Sequence, residues 1–159
     1  MASSLCIVDT SIFLNFLDVP GKNQNKETVE TEFKDYVSSK VNFSLPMATI
    51  LETGNHIAQL SDGGHRRKIA ERFVKAICDA IDGTAPWQAA EFPRLEEVRA
   101  WLHDFPDTSM RKIGFGDLSI IKEYEAARTR FPTREVFIWS TDNDLQGYRY
   151  TPPDWTNKR

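Results

Sequence analysis

"REVFIWSTDND", Arg134 to Asp144, decides the fold. Its apolar core, Val136 to Trp139, is short and uninterrupted, which reads as a buried strand rather than a helix. The run breaks off into Ser140, Thr141, Asp142, Asn143 and Asp144, placing two acids one residue apart just beyond the strand. Near the N-terminus "SLCIVD" (Ser4 to Asp9) has the same design, an apolar run that ends on an acid.

Between these two strands the chain reads mainly as helices. "TSIFLNFL" starts one directly after Asp9, with Thr10 or Ser11 expected at its cap. "DVPGKNQNKE" is a polar loop, and from Glu27 onward Val29, Phe33, Tyr36, Val37 and Val41 recur at helical spacing. "VNFSLP" predicts a second strand, stopped at Pro46, and Met47 to Leu60 a helix with Ile50, Leu51, Gly54, Ile57 and Ala58 on its packed side. After the "SDGG" break a helix is expected over about 66–81, and "TAPWQAAEFP" within the following loop. Leu95, Val98, Leu102 and Phe105 mark another helix, "DTSMRKIGFG" an irregular stretch, and residues 117–130 a helix with Leu118, Ile121 and Tyr124 inward. "YRYT" predicts an edge strand before a tail over residues 151–159. Strands alternating with helices specify an α/β fold with a mostly parallel central sheet, here as one domain over residues 1–150. In such folds the active crevice opens outside the carboxyl ends of the strands, where Asp9 and Asp142 both fall.

Composition bounds the function. With 159 residues, 40% hydrophobic and 27% charged, the chain is sized and balanced for one globular domain. It shows no signal-peptide pattern and no run near the ~20 apolar residues of a membrane span, so a cytoplasmic protein is expected. Cys6 and Cys78 read as buried free thiols. A net charge of −3 gives no general basic footprint for nucleic acid, but setting aside five candidate site acids turns it to +2. Trp101 and Trp139 read as packing residues, whereas Trp87 and Trp155 lie in loop or tail segments where stacking on a base competes with packing.

Taken singly, Asp9, Glu52, Asp117 and Asp142 each have an ordinary explanation as a cap, a turn or a first-turn acid. Together they are harder to dismiss, because segments at one sheet edge would bring four carboxylates close. Such a group repels itself and raises its own pKa values unless a cation intervenes. Hard oxygen donors without a Cys/His cluster suit Mg²⁺ or Mn²⁺ rather than zinc. A calcium loop starting at Asp142 fails, since its twelfth position is Pro153 where a bidentate Glu is required. A dehalogenase-type phosphatase fails as well, because Asp9-Thr10-Ser11 lacks the second acid of D-x-D.

Four segments resemble the PIN-domain nucleases, particularly their VapC-like toxin branch: "IVDTSIFLNFL", "LPMATILETGNHI", "GFGDLSIIKEYEAA" and "VFIWSTDNDLQGY". They occur in that family's order and span nearly the whole fold. Ser140 stands where the family commonly has Thr, and Leu145 where it commonly has Phe. The resemblance implies a single PIN-like domain in which Asp9, Glu52, Asp117 and Asp142 hold one or two Mg²⁺ or Mn²⁺ ions for RNA hydrolysis. Asp144, Thr10, Ser11, Asn15 and Ser140 would be auxiliary. Read from the residues alone, Arg66, Arg67 and Lys68, which open a helix with positive charge, with Arg72 and Lys75 extending the set, fit a solvated helix face first and RNA-backbone contact as the functional alternative. A toxin of a toxin–antitoxin pair, homodimeric and silenced by a small antitoxin protein, is the implied biology. A nuclease subunit of another RNA-processing or defence assembly, and a non-catalytic PIN-fold binding module, are the alternatives.

Overall fold

The computed structural model describes residues 3–153; residues 154–159 of the tail, Trp155 among them, lie outside the described residues. In chain order the elements are β1 (Leu5–Val8), α1 (Thr10–Phe16), α2 (Lys26–Ser38), β2 (Asn42–Leu45), α3 (Met47–Ala58) and α4 (Gly63–Asp82). Then come β3 (Trp87–Ala89), α5 (Leu95–Met110), α6 (Phe115–Arg130), β4 (Val136–Trp139) and β5 (Arg149–Tyr150). The strands form one sheet in the order β3-β2-β1-β4-β5, parallel except for β5 at the edge. This is the α/β architecture expected, a mostly parallel sheet flanked by helices. Among the described residues no helix is long and apolar enough to cross a membrane.

Strand alternation divides the core in two. Cys6 and Val8, Phe43 and Leu45, and Phe137 and Trp139 point to one face, where α1 to α4 bring Ile12, Phe13, Val29 and Ile57 among others. Ile7, Val136 and Ile138 point to the other, against Ile120, Ile121 and Tyr124 of α6. The first face is aromatic. Trp87 lies beneath Phe33, stacked at 5.0 Å, and meets Phe16 edge-on at 4.7 Å.

Several local expectations are corrected. Trp87 belongs to a strand, not a loop, and is 2% exposed. A three-residue edge strand with one buried side chain carries too little alternation to be read. Leu51 (57% exposed) and Ala58 lie outside the packed side of α3, and Val37 is exposed on α2. In α5, Trp101 and Thr108 are buried while Leu95 and Leu102 face outward, because this helix leans on α6 rather than on the sheet. It also continues through Pro106 to Met110, with Ser109 Oγ donating to Pro106 O at 2.8 Å. Cys78 is exposed, whereas Cys6 is buried; both are free thiols.

Glu123 of α6 lines a cleft on the second face together with Ser44 of β2 and Glu97 of α5. Burial, and then the Glu97 charge, push its carboxyl up to about 7. A folded-state pKa above the unfolded value means the native state keeps a proton that the unfolded chain has released. Stability is therefore full below the ordinary Glu range and falls as pH rises through about 7. Glu123→Gln should abolish that loss, gaining up to about 3 kcal/mol over wild type at pH 8 and little at pH 4 in urea unfolding.

Candidate active site

The chain builds outward from β1 in two directions, β2 and β3 on one side and β4 and β5 on the other. β1 and β4 are thus parallel neighbours across the point where the order reverses, and Val8 stands opposite Trp139. Both strands release their chains at the same edge, and Asp9 N–H extends the ladder by donating to Trp139 O at 3.0 Å. That edge is where ligands meet open parallel sheets.

Asp9, and not Thr10 or Ser11, is the N-cap of α1. Its backbone is extended, and its Oδ2 accepts from Ser11 N at 3.4 Å and more closely from Ser11 Oγ at 2.7 Å. The same oxygen accepts from Ser140 Oγ at 2.7 Å. Ser11 Oγ in turn accepts from Thr141 N (3.0 Å), and Ser140 Oγ from Asp142 N (2.9 Å). Two hydroxyls therefore fasten the exits of β1 and β4 around one buried carboxylate.

The other acids arrive from two helices and a turn. Thr49 Oγ1 donates to Val8 O at 2.7 Å, anchoring α3 on the end of β1. One turn later Glu52 Oε2 accepts from Thr10 Oγ1 at 3.0 Å. Its second oxygen lies against Gly116, where a β-carbon would collide with it. Asp117 follows as the third residue of α6; Gly114 is the N-cap there, so Asp117 does not serve as a cap. Asp142 sits in an exposed turn, with Oδ1 accepting from Asp144 N at 2.9 Å and Leu145 buried behind it. No helix begins at Asp142, and Asp144 is exposed beside the site.

Asp9, Glu52, Asp117 and Asp142 line one pocket of about 280 Å³, with Thr10, Ser11 and Asn15. Their charges converge. Burial, followed by the charges of Asp9, Glu52, Asp142 and Asp144, raises the Asp117 carboxyl to about 6. A helix N-terminus favours a charged acid by ~0.3–1 kcal/mol, so repulsion and burial outweigh the dipole here.

Some contributors were not foreseen. His56 lines the pocket one turn after Glu52, a relation readable as i, i+4 on a helix. Lys22, Gln24 and Asn25 reach it from the loop after α1, with no local signal in sequence. Asn15 explains how: it is 3% exposed, its Nδ2 donates to Ser11 O (2.8 Å), and its Oδ1 accepts from Asn25 N (2.9 Å). Its amide is engaged in holding the loop. By contrast Arg66, Arg67 and Lys68 are exposed on α4 and do not line the acid pocket. Arg66 donates to Leu60 O at 2.9 Å and Arg67 pairs with Glu71 at 3.1 Å; both border a separate depression between α3 and α4.

The donor chemistry fits a hard divalent cation. Asp9 Oδ1, Glu52 Oε1, Asp142 Oδ2 and both oxygens of Asp117 accept no hydrogen bond among the described residues. The remaining oxygens of Asp9, Glu52 and Asp142 are steered by hydroxyls or an amide, as supporting groups steer metal-binding carboxylates. Among the described residues no three acid, His or Cys side chains stand at chelating separation. The fit thus lies in donor type and shared charge, not in preformed coordination.

Because the folded-state pKa of Asp117 is raised, its ionisation lowers stability as pH rises through about 6. Asp117→Asn should raise the Tm of the EDTA-treated protein at pH 8 and leave it unchanged near pH 4, as read by thermal unfolding. No family model matches the chain, and no curated protein does.

Proposed function

We propose that this protein is a divalent-metal-dependent endoribonuclease that hydrolyses RNA phosphodiester bonds, with Asp9, Glu52, Asp117 and Asp142 holding one or two Mg²⁺ or Mn²⁺ ions. The observation that carries the reading is electrostatic: four segments distant in sequence bring their acids into one pocket, and the charges of the other three help raise the Asp117 pKa to about 6. An apo fold gains nothing from such repulsion, whereas a bound cation reverses its sign. The carboxylate oxygens that accept from no protein donor also count against a purely structural role for these acids.

When bound, a divalent ion supplies Lewis-acid stabilisation of the phosphate and lowers the pKa of its water. The chain itself supplies placement. Ser11 and Ser140 fix Asp9 at the pocket floor, Thr10 turns Glu52, and Gly116 leaves the space that Glu52 occupies. Asp142 stands at the exposed side, where a substrate phosphate enters. Lys22 has no ion-pair partner among the described residues, so its ammonium is available to an anion at the mouth. The toxin role, with a small antitoxin partner and a homodimeric assembly, is supported by the motif resemblance alone.

Asp142 gives the cleanest test, since it is exposed whereas Asp9 also caps α1. Purified protein incubated with several RNAs and single-stranded DNA should cleave RNA with Mn²⁺ or Mg²⁺ and not with EDTA. Asp142→Ala should lower the rate by ~10²-fold or more. Cleavage that survives EDTA or Asp142→Ala, or no cleavage of any RNA, would overturn the reading. Gly116→Ala should displace Glu52 and reduce cleavage by ~10–100-fold, with thermal unfolding shifted by only a few degrees.

A further inference from the structure

A second cavity lies on the other side of the loop that rims the acid pocket. Its volume is about 700 Å³, within the range of small-ligand sites. Phe16 and Phe33 are half-buried and line it, each with its ring already parallel to a core aromatic, Phe16 to Phe13 and Phe33 to the buried Trp87. One wall is α4, from which Arg72, Lys75, Ala76 and Asp79 project at i, i+3, i+4 and i+7. The basic stretch of α4 therefore divides, with Arg66 and Arg67 bordering one depression and Arg72 and Lys75 lining this one.

Most charges at the rim are already matched. Lys26 pairs with Asp18 at 3.1 Å, and Lys75 with Asp79 at 2.7 Å. Arg72 has only a long bond to Leu17 O, 3.4 Å, and neither it nor Glu30 has an ion-pair partner among the described residues. An aromatic bowl with a guanidinium that forms no ion pair, though its charge reaches Asp18, and a carboxylate outside any ion pair is complementary to a nucleotide. Bases stack on aromatic rings, a guanidinium takes the phosphate, and a carboxylate accepts from an exocyclic amino group.

We propose that this cavity is a base-binding subsite for the RNA strand whose backbone crosses the acid pocket, with the base stacked on one of the Phe16 and Phe33 rings and meeting the other edge-on, since the two lie 65° apart, and Arg72 holding a flanking phosphate. The inference rests on the nuclease reading for the identity of the strand. Helix α1 connects the two sites: Leu14 and Asn15 line the acid pocket, and Phe16 and Leu17 line the bowl. From Asp9 at the cap to Phe16 at the end the helix rises about 10 Å, a reach of a few nucleotides at most. The intervening loop serves both, giving Lys22 and Asn25 to one and Asp18 and Lys26 to the other. Glu30 makes the subsite favour bases that bear an amino group, so uracil is the weakest occupant.

The test is calorimetric titration of the full chain, in EDTA, with AMP, CMP, GMP and UMP. At least one amino-bearing nucleotide should bind wild type and Asp142→Ala equally, with Kd of about 1 mM or tighter, and more tightly than UMP. Arg72→Ala, an exposed change, and Ala76→Met, which fills the bowl, should each weaken binding ~10-fold or more. Failure of every nucleotide to bind, or binding lost in Asp142→Ala and retained in Arg72→Ala, would overturn the proposal. Nucleotide binding without RNA cleavage would support this site and sink the nuclease reading, and cleavage without nucleotide binding would do the reverse.

Discussion

The hydrogen bond from Ser140 Oγ to Asp9 Oδ2, 2.7 Å long, joins the exits of the two central strands, and the site is assembled around it. Parallel strands leave a sheet at one edge, but nothing in the ladder sets how their outgoing chains diverge. Here Ser11 and Ser140 set it, each hydroxyl donating to the carboxylate and accepting a backbone N–H from the turn after β4. The buried acid is thereby compensated by hydrogen bonds rather than by a cation of the chain, which keeps its desolvation tolerable.

Away from that joint the remaining acids have fewer supports. Glu52 rides on a helix pinned to the end of β1 by Thr49 and is turned by one hydroxyl. Asp117 belongs to the other face of the sheet and has no hydrogen-bond partner among the described residues. Asp142 lies in an exposed turn anchored by the buried Leu145. The pocket therefore runs from a buried, hydrogen-bonded floor at Asp9 to an exposed mouth at Asp142.

Much of this was legible in sequence, for identifiable reasons. The β1 and β4 runs are buried on both faces and need no alternation to be recognised, and the acids that follow them mark the edge. Leu118, Ile121 and Tyr124 show the inner face of α6 because that helix packs directly on the sheet. The apolar pattern of α5 misleads because its support is another helix, which buries only a narrow stripe. Trp87 was missed as a strand residue since β3 has too few positions to display a period. The rim residues Lys22, Gln24 and Asn25 carry no motif at all; they reach the site through one bond between the Asn15 side chain and the Asn25 backbone. A contact across ten residues, made by an amide that looks like an ordinary helix surface group, has no signature in composition or spacing.

Gly116 extends this point to a position that has no side chain. The glycine is not in a left-handed conformation, and its φ makes no demand that alanine could not meet. What is specified there is vacant volume, filled from sixty-odd positions away by the Glu52 carboxylate. The constraint belongs to the pair, so a chain that lost the acid would lose the reason for the glycine too. Drift at residue 116 would then be a record of whether the acid is still in use.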